Sequence, residues 1–168
     1  MNRIHSMLIG AALTLAAATV ASAYDDLTPQ EAYDAVVEEG AYILDVRTAA
    51  EYTWVGHPYI VDEKGIEITN IVNIPFKIEN GSGGMMLNPA FQAEVDGIFG
   101  SAADVHIITM CRSGGRSAAA AKALESAGYT NVSNMVEGFE GDGKDKYGYR
   151  TDTMDGWKNS HLPGHTLI

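Results

Sequence analysis

Cysteine is almost missing from this chain. Among 168 residues there is one, Cys111, and a single thiol excludes an internal disulfide framework. Positive charge is scarce as well: 11 Lys and Arg stand against 22 Asp and Glu, a net charge of −11. Such a surface excludes nucleic acid and anionic lipid as expected partners. Long apolar runs are absent apart from Met7 to Val20, which is shorter than the ~20 residues a membrane-spanning helix needs. There is no internal repeat and no low-complexity tract outside that segment.

That one run reads as a targeting segment. Arg3 provides the charged start, and Ala21-Ser22-Ala23 is a small-residue cleavage pattern. Residues 1–23 are therefore expected to be a signal peptide, and residues 24–168 a single exported domain. The A-x-A type of signal points to the bacterial periplasm, with no membrane association after cleavage.

Metal and cofactor signals are also thin, and none is expected. His161 and His165 are separated by Pro163-Gly164, which prevents a shared helical face. His106 lies in an apolar run and reads as a core histidine, and His57 reads as a turn residue between Gly56 and Pro58. Trp54 and Trp157 read as packing residues. The acids of Gly141–Asp155 do not make a calcium loop, because Lys144 stands where a ligand is needed and no Glu closes the loop. The glycines Gly81 to Gly84 lack the Lys-Ser/Thr of a phosphate loop and read as a flexible loop.

Elements follow from caps and apolar runs. Thr28-Pro29-Gln30-Glu31 is a capping box that opens a helix to Glu39, stopped by Gly40. Thr48 to Glu51 repeats the box and starts a brief helix to Trp54. Asn88-Pro89 precedes a helix to Phe99, and Ser117 to Ala127 forms another. A short helical piece is expected around Gly156-Trp157-Lys158. Strands are expected at Ala41–Val46, Asn70–Ile74, Val105–Met110 and Asn131–Val136. These strands lack polar alternation, which suggests burial on both faces and a parallel sheet. The expected fold class is thus α/β, a central parallel sheet with helices on both faces. Tyr59–Thr69, Lys77–Leu87 and Gly141–Asp155 read as loops around it. Ligands of such sheets sit beyond the carboxyl ends of the strands, where Asp45-Val46-Arg47 and Cys111 both fall.

Cys111 opens the run Cys-Arg-Ser-Gly-Gly-Arg-Ser, Cys111 to Ser117. It sits where a strand pattern gives way, through glycines, to a helix. The loop amides and the helix N-terminus form an anion cradle. Arg112 and Arg116 add two charges in an otherwise acidic protein, and positive charge there favours a nucleophilic thiolate.

Several segments together resemble the rhodanese domain family. They are Leu44-Asp45-Val46-Arg47 with Glu51-Tyr52, Gly56-His57, Asn73-Ile74-Pro75, the Cys111–Ser117 loop and Glu137-Gly138-Phe139-Glu140-Gly141. Gly156-Trp157-Lys158 with Leu162-Pro163 resembles the end of that domain. The resemblance implies a rhodanese-like fold with the active-site loop between a strand and a helix, and persulfide chemistry. Cys111 would be the catalytic nucleophile and Arg116 the second catalytic residue, closing the loop. Arg112, Ser113, Gly114, Gly115 and Ser117 would line the substrate site, and Asp45 and Arg47 would be its structural support. Two insertions, Pro58–Val72 and between Gly141 and Gly156, depart from the family pattern. Ser113 stands where a mammalian-type loop carries Lys.

The expected reaction is a double displacement. The Cys111 thiolate takes the outer sulfur of a small anionic donor such as thiosulfate, and an external thiol or cyanide then removes it. No second cysteine can resolve the persulfide, so the acceptor is external. A protein acceptor is a further possibility, with the domain acting as a non-enzymatic sulfur carrier for a periplasmic partner. A Cys-dependent phosphatase is a more remote alternative: such loops place five residues between Cys and Arg, and here there are four.

Overall fold

The computed structural model describes residues 24–101, 104–143 and 155–165. The expected signal peptide and most of the Gly141–Asp155 segment lie outside the described residues.

In chain order the elements are β1 (Asp25–Leu27), α1 (Pro29–Asp34), a π-helical turn (Ala35–Glu39), β2 (Tyr42–Asp45), α2 (Ala49–Trp54) and β3 (His57–Pro58). There follow β4 (Ile71–Asn73), β5 (Lys77–Glu79), β6 (Met85–Leu87), α3 (Phe91–Phe99) and β7 (Ile107–Met110). The chain continues through α4 (Gly115–Ser126), β8 (Val132–Met135), a 3-10 turn (Trp157–Asn159) and β9 (Gly164–His165). Both capping boxes form. Glu31 accepts from the Thr28 N–H at 2.8 Å and Glu51 from the Thr48 N–H at 3.0 Å, while each threonine hydroxyl accepts from its glutamate's N–H.

Five strands make one parallel sheet in the order β1-β8-β7-β2-β4. Successive side chains point to opposite faces. Leu44, Ile107 and Val132 face one side, where Phe91 and Val95 of α3 and Ala120, Ala121 and Leu124 of α4 cover them. Ile43, Ile108 and Met135 face the other side, against Ala32, Ala35, Val36, Phe139 and Trp157. The α/β architecture with a central parallel sheet and covered faces is therefore as the sequence implied. Strand β1 was not foreseen: Asp25 and Asp26 read as polar, and it is an edge strand whose first two residues are exposed.

Two expectations are corrected. Lys77–Leu87 is a hairpin, not a flexible loop. Strands β5 and β6 pair antiparallel, and the Asn80 side chain closes the turn by accepting from the N–H groups of Ser82 and Gly84 at 2.9 and 3.0 Å. Trp54 is not a packing residue, being 71% exposed at the end of α2. The Pro58–Val72 insertion is tied down: Ile60 is fully buried, and Ile68 packs on the same cluster, on the sheet face opposite Cys111.

Candidate active site

Cys111 is the first residue beyond β7, the central strand of the sheet. Its neighbours at that end are fixed by register: Met110 pairs with Asp45 on β2, which pairs with Asn73 on β4. The side chain is 1% exposed and packs with Val46, Ile74 and Ala120 in one core cluster. The loop Arg112–Gly114 then leads into α4, two residues earlier than the sequence suggested. Ser117, buried in the first turns of α4, places its hydroxyl 3.4 Å from the Cys111 sulfur and 2.9 Å from the Gly114 carbonyl.

Three of the loop's carbonyls are committed, and three of its amides are not. The Cys111 carbonyl accepts from the Phe139 N–H at 2.8 Å, the Arg112 carbonyl from Glu140 at 2.9 Å, and the Gly114 carbonyl from Ala118 at 3.0 Å. The N–H groups of Arg112, Ser113 and Gly114 donate to none of the described residues. Donors without acceptors beside a helix N-terminus are suited to a bound anion. Two glycines allow this turn. Gly114 has φ +88°, and a Cβ there would overlap the Val136 carbonyl oxygen. Gly138 has φ +63°, and a Cβ there would overlap the Cys111 carbonyl oxygen. The turn after β8 is thereby pressed onto the Cys loop.

On the other side, Asp45 and Arg47 form a fully buried pair. Arg47 donates from Nε at 3.0 Å and from a terminal nitrogen at 2.6 Å to the Asp45 carboxylate, and from the same terminal nitrogen at 2.7 Å to the Gly56 carbonyl. Its guanidinium lies 4.4 Å over the Phe139 ring. The other terminal nitrogen has no hydrogen-bond partner among the described residues, and the ring face is what offsets its burial. Burial pushes the Asp45 carboxyl up, and the Arg47 guanidinium opposes that push. Asn73 donates to the carbonyls of Asp45 and Arg47 at 2.8 and 3.0 Å. The Asp-Val-Arg, Gly-His, Asn-Ile-Pro and Glu-Gly-Phe segments thus meet in one hydrogen-bonded frame behind the loop.

Arg116 does not reach into the loop alone. Its two terminal nitrogens donate to the two oxygens of Glu51, one at 2.8 Å, and both side chains are about three-quarters buried. Burial on its own pushes Glu51 up, but hydrogen bonds from Arg116 and Thr48 outweigh it and hold the carboxyl at about 2. The same contact, with a smaller contribution from the Cys111 sulfur, raises Arg116 further. The sequence marked Glu51 as a helix cap and, with Tyr52, as part of the family resemblance; no local pattern connects it to a residue on another helix. Arg112 is exposed, Ser113 half-buried and Gly115 exposed. No group of three or more metal-binding side chains occurs among the described residues. A groove of about 260 Å³ is lined by Thr48, Ala49 and Ala50 at the start of α2 and by Pro75, Lys77, Ile78 and Glu79 in and just before β5.

A model of the rhodanese-like domain matches residues 28–144. The chain belongs to the rhodanese-like family. An uncharacterized protein of Rickettsia prowazekii is 30% identical over 128 residues, spanning 76% of this chain and 85% of its own length. The chloroplastic thiosulfate sulfurtransferase 16 of Arabidopsis thaliana is 36% identical over 100 residues, 60% of this chain and 72% of the relative. Among solved structures, Rv0390 from M. tuberculosis superimposes with a TM-score of 0.64 at 31% identity, covering 84% of this chain and 98% of that one. The rhodanese-like match includes every residue of the loop and of the Asp45–Arg47 frame.

Proposed function

We propose that this protein is a sulfurtransferase that moves sulfane sulfur from a donor such as thiosulfate to a thiol or cyanide through a persulfide on Cys111. The observation that carries the reading is the loop itself: a buried thiol, a hydroxyl at 3.4 Å, and uncommitted backbone amides between the sulfur and a helix N-terminus. In the first step the thiolate attacks the outer sulfur, an S–S bond forms, and the S–S bond of thiosulfate breaks to release sulfite. In the second step the acceptor attacks the terminal persulfide sulfur and restores the thiolate. The loop amides stabilise the anionic sulfur in both states. The relative from Arabidopsis thaliana that carries the name thiosulfate sulfurtransferase supports this chemistry.

A carrier reading has one observation in its favour. At 1% exposure the Cys111 sulfur is reached only by a small acceptor or after a partner opens the loop. We infer a periplasmic setting for either activity from the charged start at Arg3 and the Ala21-Ser22-Ala23 pattern. Mass spectrometry of protein incubated with thiosulfate tests the central claim: wild type gains one sulfur and Cys111→Ser gains none. Loss of that sulfur on adding cyanide marks an enzyme, and a persulfide stable to cyanide marks a carrier. No gain of sulfur by wild type overturns both.

A further inference from the structure

The loop of this protein carries less net positive charge than its two arginines suggest. The Glu51 carboxylate meets both terminal nitrogens of Arg116 and stays ionised across the working pH range. That pair is close to neutral as seen by a ligand. Asp45 and Arg47 are a second closed pair. Lys158 faces Glu140 at 3.9 Å, and Glu140 and Glu137 both stand on the turn whose backbone holds the loop. Position 113 is a serine. Among the described residues the unmatched full charge on the loop is then Arg112, which is exposed to solvent screening. The remaining attraction comes from backbone dipoles, which at a helix N-terminus amount to about half a positive charge.

We propose that the Glu51–Arg116 pair tunes this loop to sulfane donors bearing a single negative charge, organic thiosulfonates and persulfides, in preference to the thiosulfate dianion. The inference rests on Cys111 being the sulfur acceptor. Each step balances. A thiosulfonate R–SO₂–S⁻ passes its outer sulfur to the thiolate and leaves as the sulfinate R–SO₂⁻. A persulfide R–S–S⁻ leaves as the thiolate R–S⁻. Glu51 is a positioning residue here, acting through Arg116 rather than on the donor.

The test compares thiosulfate with methanethiosulfonate, which is similar in size and carries one charge fewer, in wild type and Glu51→Gln. Glutamine retains the capping function at this helix position but removes the negative charge. Wild type is expected to show the higher kcat/KM for methanethiosulfonate. In Glu51→Gln the ratio is expected to move toward thiosulfate by about tenfold, mainly through KM, the size expected for one charge at close range in a partly buried site. An unchanged ratio, with both donors still loading Cys111 by mass spectrometry, overturns the charge inference alone. Failure of both donors to load wild-type Cys111 overturns the sulfur-transfer reading with it. Ionic strength gives a measurement on wild type only: kcat/KM for thiosulfate should stay level or rise with salt, because an acidic protein repels the dianion. A several-fold fall with salt would mean that a cation besides the solvent-screened Arg112 attracts the donor, so that Arg116 is not compensated, and would also overturn the inference.

Discussion

The Ser117 hydroxyl stands 3.4 Å from the Cys111 sulfur and 2.9 Å from the Gly114 carbonyl oxygen, and it has one proton to give. While the sulfur is a neutral thiol, the carbonyl is the better acceptor. Once the sulfur is ionised, the hydroxyl turns to it as a charge-assisted donor. Ser117→Ala should therefore slow sulfur loading by about tenfold to a hundredfold, the range for one hydrogen bond to a charged group. Stopped-flow loading from thiosulfate measures it. A rate within twofold of wild type would remove Ser117 from the mechanism.

The buried Asp45–Arg47 pair makes a sharper stability prediction. Removing one partner strands a charge with no water to receive it, which typically costs about 3–5 kcal/mol. Arg47→Ala also deletes the contact over Phe139 and the donor to Gly56. Both Asp45→Asn and Arg47→Ala should lower the urea midpoint severely, and the double variant should lose much less than the two combined. Additive losses in that cycle would show that the pair is not coupled.

Acid titration isolates Glu51. Its folded carboxyl titrates at about 2, below the ordinary value of 4.5. A lowered folded value means the stabilisation is complete above about 4.5 and is lost as pH falls toward 2. Because the group is only partly buried, the gain is expected to be modest. Wild type should exceed Glu51→Gln in stability at pH 6, and the gap should close between pH 4.5 and 2. A gap independent of pH would assign the effect to packing instead.

Two glycines should respond in opposite senses to alanine. Gly138→Ala forces a Cβ into the Cys111 carbonyl at a positive φ and should destabilise by about 2–4 kcal/mol while distorting the loop. Gly97 lies inside α3 with open space around it. Gly97→Ala should raise stability by about 0.5–1 kcal/mol. Thermal unfolding of the two variants checks both signs.

How much of this was legible in the sequence depends on the range of the interaction concerned. Caps are local, so Thr28 with Glu31 and Thr48 with Glu51 announced two helices correctly. Buried strands announce themselves by unbroken apolar runs, so β2 and β7 were found within a residue or two. Edge strand β1 was missed because it pairs on one side only and keeps Asp25 and Asp26 in water. The β5–β6 hairpin was missed because its turn depends on one asparagine side chain amid glycines that also read as disorder. Cys111 and its loop stood out through local pattern, a lone thiol between an apolar strand and a helix amid glycines and arginines. The partner of Arg116 did not, because the Glu51–Arg116 contact joins residues 65 apart in the chain.

The burial of the one cysteine also makes it a reporter on the folding equilibrium. The walls that shield Cys111 come from β2, α4 and the turn after β8, which are joined only when the central strands have paired. A fragment lacking any of them should leave the thiol in water. A bulky maleimide should accordingly label the native protein only at the rate at which the molecule opens, and label the unfolded chain at once. With a single reactive site and no background from other thiols, the labelling rate measured against denaturant would give the free energy of that opening directly.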